Sequence, residues 1–234
     1  MADAEGPMGI SVLSAATGLP MPTIHRLIRT LVELGYVHQD ANRQYVLGPK
    51  LFRLGERSGR MFTFLARSHL EPLEEKLGET VLLSMLENGE VVSVAQAQST
   101  RHSMRWSTEV GKRFPPHCNA PGKVMLAQVP LERVNPILDR TGMAPITDRT
   151  ITDRAAFLAC LDTVRERGYA LDEGEQEVGV NGVAVSVTNT PTRLALSVSG
   201  PASRITPEFV EQALPAMREA ALALDAELRG GLTE

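Results

Sequence analysis

Two cysteines, Cys118 and Cys160, are all this 234-residue chain contains. They lack the paired spacing of a zinc site and are too few for a disulfide framework, which points to a reducing cytoplasm. No metal or cofactor is expected. No apolar run approaches the roughly 18–20 residues that span a bilayer. The opening residues, Met1-Ala2-Asp3-Ala4-Glu5-Gly6, have none of the basic and apolar regions of a signal peptide. The chain has no internal repeat and no low-complexity tract. Neither sign of charge dominates: the net charge is −4, which excludes a strongly basic nucleic-acid coat. A hydrophobic content of 43% is enough for real cores, and the length suits one large domain or two modest ones.

The densest signal lies in residues 12–48. A short apolar helix pattern, Ser11-Val12-Leu13-Ser14-Ala15-Ala16-Thr17, meets a turn at Gly18-Leu19-Pro20. In the next segment Ile24, Leu27, Ile28, Leu31 and Leu34 recur at helical spacing and predict one buried face. Thr23, His25, Arg26, Arg29, Thr30 and Glu33 fall largely elsewhere. Pro22 suits a first helical turn, and Gly35 suits a left-handed cap. The period then changes. Tyr36-Val37-His38-Gln39 and Gln44-Tyr45-Val46-Leu47 read as strands around the turn Asp40-Ala41-Asn42-Arg43. A helix, a glycine turn, a second helix with exposed Arg and Thr, and a hairpin make a helix-turn-helix with a wing. Such a helix enters a major groove, where Thr23, His25, Arg26, Arg29 and Thr30 reach bases or phosphates and Arg43 at the hairpin tip reaches backbone. Residues 1–62 hold seven Lys and Arg against five Asp and Glu, net +2, so the remainder carries −6. One copy should therefore bind DNA poorly, and two half-site contacts from a dimer would compensate.

Residues 49–65 read as a helical connector weakened by Gly55 and Gly59, with Leu51, Phe52, Leu54, Met61, Phe62 and Leu65 as a seam for a dimer or the next domain. A second helix covers 66–77. Strands are predicted at 80–86 and 91–96 around Asn88-Gly89, a hairpin turn, and at 104–106, 169–172, 183–188 and 194–199. Helices are predicted at 120–128, 131–139, 154–167 and 206–228. An antiparallel sheet with flanking helices, an α+β domain, is the natural reading.

Three segments together resemble the IclR family of bacterial transcription regulators. They are Leu19-Pro20-Met21-Pro22-Thr23-Ile24-His25-Arg26-Leu27 continuing through the hairpin; Val110-Gly111-Lys112-Arg113-Phe114-Pro115-Pro116-His117-Cys118-Asn119-Ala120-Pro121-Gly122-Lys123; and Gly168-Tyr169-Ala170 through Gly179-Val180-Asn181-Gly182-Val183-Ala184 to Leu196-Ser197-Val198-Ser199-Gly200-Pro201. The resemblance implies a winged-helix DNA-binding domain at 1–48, a linker helix at 49–65 and a GAF-like effector domain at 66–234. It also implies a homodimer or a dimer of dimers acting on promoter or operator DNA, with repression the expected sign. By the same resemblance the effector pocket is lined by Ala120, Pro121, Asp172, Gly182, Ser197 and Ser199, with Met104 and Trp106 as an apolar wall. A helix N-terminus at 120–122 suits a carboxylate, alternating Ser197 and Ser199 share a face, and Pro121 removes one donor. A small organic acid is the expected effector.

Two rival readings stand beside this one. An enzyme would use His117 and Cys118, but neighbours on a strand point to opposite faces, which places base and thiol poorly. Zinc held by His117 or Cys118 with acidic partners is a weak alternative, and the acidic run Asp172, Glu173, Glu175, Glu177 reads as a solvated loop. The other rival is a sensing or oligomerisation protein with impaired DNA binding. Family members begin with a full apolar helix before the one at residue 12, whereas residues 5–9 are a poor helix former. A winged helix lacking its first helix would leave part of the Ile24, Ile28, Leu31 face unpacked.

Overall fold

In the computed structural model, residues 1, 6–188 and 192–230 are described. The chain divides into two compact units, Met1–Phe62 and Thr63–Glu234.

In the first unit, α1 (Ile10–Thr17) stops at Gly18, which takes φ +70° and donates its N–H to Ser14 O. After three residues α2 (Met21–Glu33) begins with Pro22 in its first turn. A two-stranded antiparallel wing follows, β1 (Val37–Gln39) and β2 (Tyr45–Leu47). Its turn is held by Asp40, whose carboxylate accepts N–H bonds from Asn42 (2.9 Å) and Gln44 (2.8 Å). Met8 exchanges two backbone bonds with Tyr45 beside this hairpin. Leu13, Ile24, Ile28, Val37 and Tyr45 form the buried cluster. Here the helical stripe needs correction: Leu27 is 47% exposed, and Leu31 and Leu34 are also exposed. The stripe is wider than the surface that an eight-residue α1 and a three-residue β1 can cover.

One continuous helix, α3 (Lys50–Leu77), runs where the sequence suggested a connector and a separate second helix. Gly55 and Gly59 each lower helix propensity by about 1 kcal/mol but remove no hydrogen-bond donor, so they weaken the helix without ending it. The side chains of Phe52, Met61 and Phe62, expected along the seam, lie outside the described ones.

The second unit is α+β. Six strands, β3 (Thr80–Glu87), β4 (Glu90–Ala97), β5 (Arg113–Phe114), β6 (Ala170–Glu173), β7 (Val180–Val187) and β8 (Leu194–Pro201), form an antiparallel sheet in the order β5-β4-β3-β8-β7-β6. Asn88 (φ +50°) and Gly89 (φ +80°) make the β3–β4 turn, the positive pair of a type I′ hairpin. No strand covers 104–106: β4 pairs at its outer edge with residues 113–114 instead, so this stretch has no free ladder to join. The helices are α4 (Ala120–Ala127), α5 (Leu131–Thr141), α6 (Arg154–Arg167) and α7 (Pro207–Gly230). Val124, Met125 and Leu126 of α4, with Val134, Leu138, Phe157, Leu161 and Val164, pack a core against Ala170, Ala184 and Ala195 of the sheet. Among the described residues no helix is long and apolar enough to cross a membrane.

Candidate functional site

A cleft partly open to solvent lies on the second unit. The sheet supplies its floor through register. Gly182 of β7 stands beside Asp172 of β6 on one side and Ser199 of β8 on the other, and Ser197 faces Leu82 of β3. Antiparallel partners project to the same face, so one row of the sheet presents a carboxyl, a bare backbone position and a hydroxyl together. A Cβ on Gly182 would come within 3.1 Å of Ser199 Oγ, so glycine keeps this floor open. Ala120 and Pro121 at the start of α4 and Trp106 from the β4–β5 segment complete the expected set. Met104 is placed elsewhere: it is 74% exposed, and its carbonyl accepts from Arg204 at 3.0 Å.

The N-terminus of α4 is more nearly satisfied than its sequence suggests. Asn119 caps it, accepting the Gly122 N–H at 2.8 Å, and Lys123 N–H already bonds Asn119 O. Pro121 has no N–H, so Ala120 carries the remaining first-turn donor without a partner inside the helix. Gly122 is fixed by packing, since a Cβ there would overlap the Pro116 carbonyl.

Behind this wall sits charge that the sequence reading missed. Lys123 is 2% exposed, ion-paired with buried Glu175, and donates to Leu171 O at 3.0 Å. The acidic run is thus not all solvated, because Glu175 folds inward to meet this cation. A lysine directly before the apolar run Val124-Met125-Leu126-Ala127 was the available signal. Asp172 accepts the Glu175 N–H at 2.8 Å. Burial pushes its carboxyl up to about 6, against the opposing pull of that N–H and of Lys123. Neither Lys nor Arg lines the cleft.

His117 and Cys118 lie in a 3-10 turn, Pro116–Cys118, not on a strand. The consecutive prolines Pro115 and Pro116 favour the turn. Both residues are fully buried. His117 contacts Ala144 O at 3.0 Å, and burial lowers its imidazole below the usual range. Burial pushes the Cys118 thiol up to about 12, so it stays protonated and weakly nucleophilic. Among the described residues no group of His, Cys, Asp and Glu is arranged to hold a metal.

On the first unit, His25, Arg26, Arg29 and Thr30 are exposed on α2, Thr23 is half-buried, and Arg43 is exposed at the wing tip with φ +60°. Arg29 is engaged by Glu33 at 3.0 Å, one turn on.

Residues 62–226 match the description "Bacterial transcriptional regulator IclR C-terminal", and residues 1–41 match "IclR helix-turn-helix domain". The chain belongs to the IclR family. It is 32% identical to the transcriptional repressor IclR of Escherichia coli K12 over 234 residues, covering 95% of this chain and 85% of that one. The Thermotoga maritima IclR shares its fold with a TM-score of 0.69 at 26% identity, covering 97% of this chain and 93% of that one. The inducer-binding domain of an Acinetobacter PobR double mutant, solved with 3-hydroxybenzoic acid, is 32% identical with a TM-score of 0.64, covering 70% of this chain and 97% of that domain. As an IclR-family protein the chain is a small-molecule-responsive, DNA-binding regulator rather than an enzyme.

Proposed function

We propose that the protein is a repressor whose operator affinity is set by a small organic acid bound in the cleft. Residues 1–48 read DNA, 49–65 link, and 66–234 sense. The observation that carries this reading is the convergence of Asp172, Gly182, Ser197, Ser199 and Ala120 on one cleft. Those groups offer a carboxylate hydrogen-bond donors without a cation, Asp172 contributing one in its neutral form. A 32% identical domain with 3-hydroxybenzoic acid bound supports the ligand class, and the name of the Escherichia coli relative supports repression. Thr23, His25, Arg26, Arg29 and Thr30 contact the major groove, and Arg43 contacts phosphate. A homodimer, or a dimer of dimers, supplies the charge that one +2 unit lacks.

Gel shifts on the intergenic DNA upstream of the protein's own gene test the DNA arm. A salt-sensitive, specific shift is expected, weakened at least tenfold in Arg26→Ala/Arg29→Ala and relieved by the effector. Thermal-shift screening of organic acids tests the cleft, with Ser197→Ala expected to abolish the response. If no acid raises the melting temperature, the ligand assignment fails. A second reading, a sensor that binds DNA weakly, is favoured by the exposure of Leu27 and Leu31 on the reading helix and of Leu34 at its C-terminal end. Acid binding without any specific shift would select it.

A further inference from the structure

We infer that Ser93 and Thr108 form a second polar pole of the cleft, selecting acids that carry a hydroxyl or carbonyl oxygen remote from the carboxylate. This rests on the reading of the cleft as an organic-acid site. Both residues line the cleft. Ser93 is 2% exposed and Thr108 8%, and neither Ser93 Oγ nor Thr108 Oγ1 has a hydrogen-bond partner among the described residues. An unpaired buried hydroxyl destabilises a fold, and an apolar side chain of similar size avoids that cost. Ser93 stands between Val92 and Val94 on β4, where alanine or valine serves the strand equally well. Two such unpaired hydroxyls on residues that line one cleft point to a bound partner.

The register places this pole away from the first. Ser93 pairs with Ser84 on β3, whereas Ser197 pairs with Leu82 on the far side of the same strand. Ser93 and Ser197 are thus two strands apart across the sheet and offset by two residues along it, about 12 Å from Cα to Cα. Both side chains project from the same face of the sheet, so their Oγ atoms are separated by roughly the same distance, and a hydrogen bond of about 2.8 Å at each end leaves roughly 6 Å between the ligand's two oxygens. That separation fits a six-membered ring or a four-carbon chain. Leu82, Val91 and Phe114 line the cleft as apolar surface for such a spacer. With neither Lys nor Arg lining the cleft, the second group is neutral.

Titration calorimetry on the full chain tests this with benzoate, 3-hydroxybenzoate and 4-hydroxybenzoate, and with butyrate against 4-hydroxybutyrate. At least one hydroxy acid should bind about tenfold tighter than its parent, as two neutral hydrogen bonds allow. Ser93→Ala/Thr108→Val should bring the hydroxy acid to its parent's affinity. The singles S93A and T108V should each lose part of the preference while keeping or raising the melting temperature of the free protein. A hydroxyl serving the fold would lower it instead. Equal binding of hydroxy and parent acids by the wild type, or a preference that survives in the double variant, overturns this inference and leaves the organic-acid reading standing. Binding of none of the acids overturns both.

Discussion

Asp172 shows how one side chain ties fold stability to ligand choice. Its carboxyl is raised to about 6 by burial, above the unfolded value of 3.8. The neutral form is therefore favoured in the fold. The stability this lends is full below about pH 3.8 and is lost as pH rises through 6, a swing on the order of 3 kcal/mol. Asp172→Asn, which cannot ionise, should gain on the wild type by up to about that amount between pH 4 and pH 7, read from urea midpoints. A constant difference between the two proteins would show that the fold does not raise the Asp172 carboxyl above its unfolded value. The same titration should tighten carboxylate binding as pH falls from 7 to 5.5, because a neutral Asp172 donates where an ionised one repels. Lys123 and Glu175 were harder to foresee. Nothing in their spacing, 52 positions apart, signals that they meet in the core, since that contact exists only once α4 packs beside β6.

At the level of elements, local chemistry was the better guide. The helix Arg154–Arg167 was legible to its last residue because Asp153 caps it through the Ala156 N–H and Gly168 closes it at φ +75°. The Asn88-Gly89 turn was legible for the same reason: only residues tolerant of positive φ fit it. Where partners lie far along the chain, the sequence misled. Residues 104–106 have strand-like composition, but the edge of β4 is taken by Arg113–Phe114. The Ser93–Thr108 pair was invisible because an unpaired hydroxyl looks like any other serine or threonine. The junction of the Pro116–Cys118 turn with α4 is tight enough to predict from. Gly122→Ala must push the Pro116 carbonyl away, with a cost of at least about 2 kcal/mol by analogy with overpacked cores. Chemical denaturation should show it, together with loss of ligand binding as Ala120 moves. A variant of unchanged stability would mean that the turn is free to shift.

Over the whole molecule, the two units rest on unequal foundations. Among the described residues, the first has five buried apolar side chains around a two-stranded wing. The second buries an extended core between six strands and several helices. Amide hydrogen exchange should therefore find α2 opening at much lower free energy than β3 or β8, by several kcal/mol. Equal protection would mean that the exposed Leu27, Leu31 and Leu34 are covered in solution. The chain also has a single tryptophan. Trp106 lines the cleft, with its indole N–H held by Glu177 at 3.0 Å. Its emission is thus the emission of the cleft: an occupant that shields the ring or breaks that bond changes the fluorescence of the whole protein. Effector entry and exit can then be timed by stopped flow on the unlabelled wild type, independently of DNA.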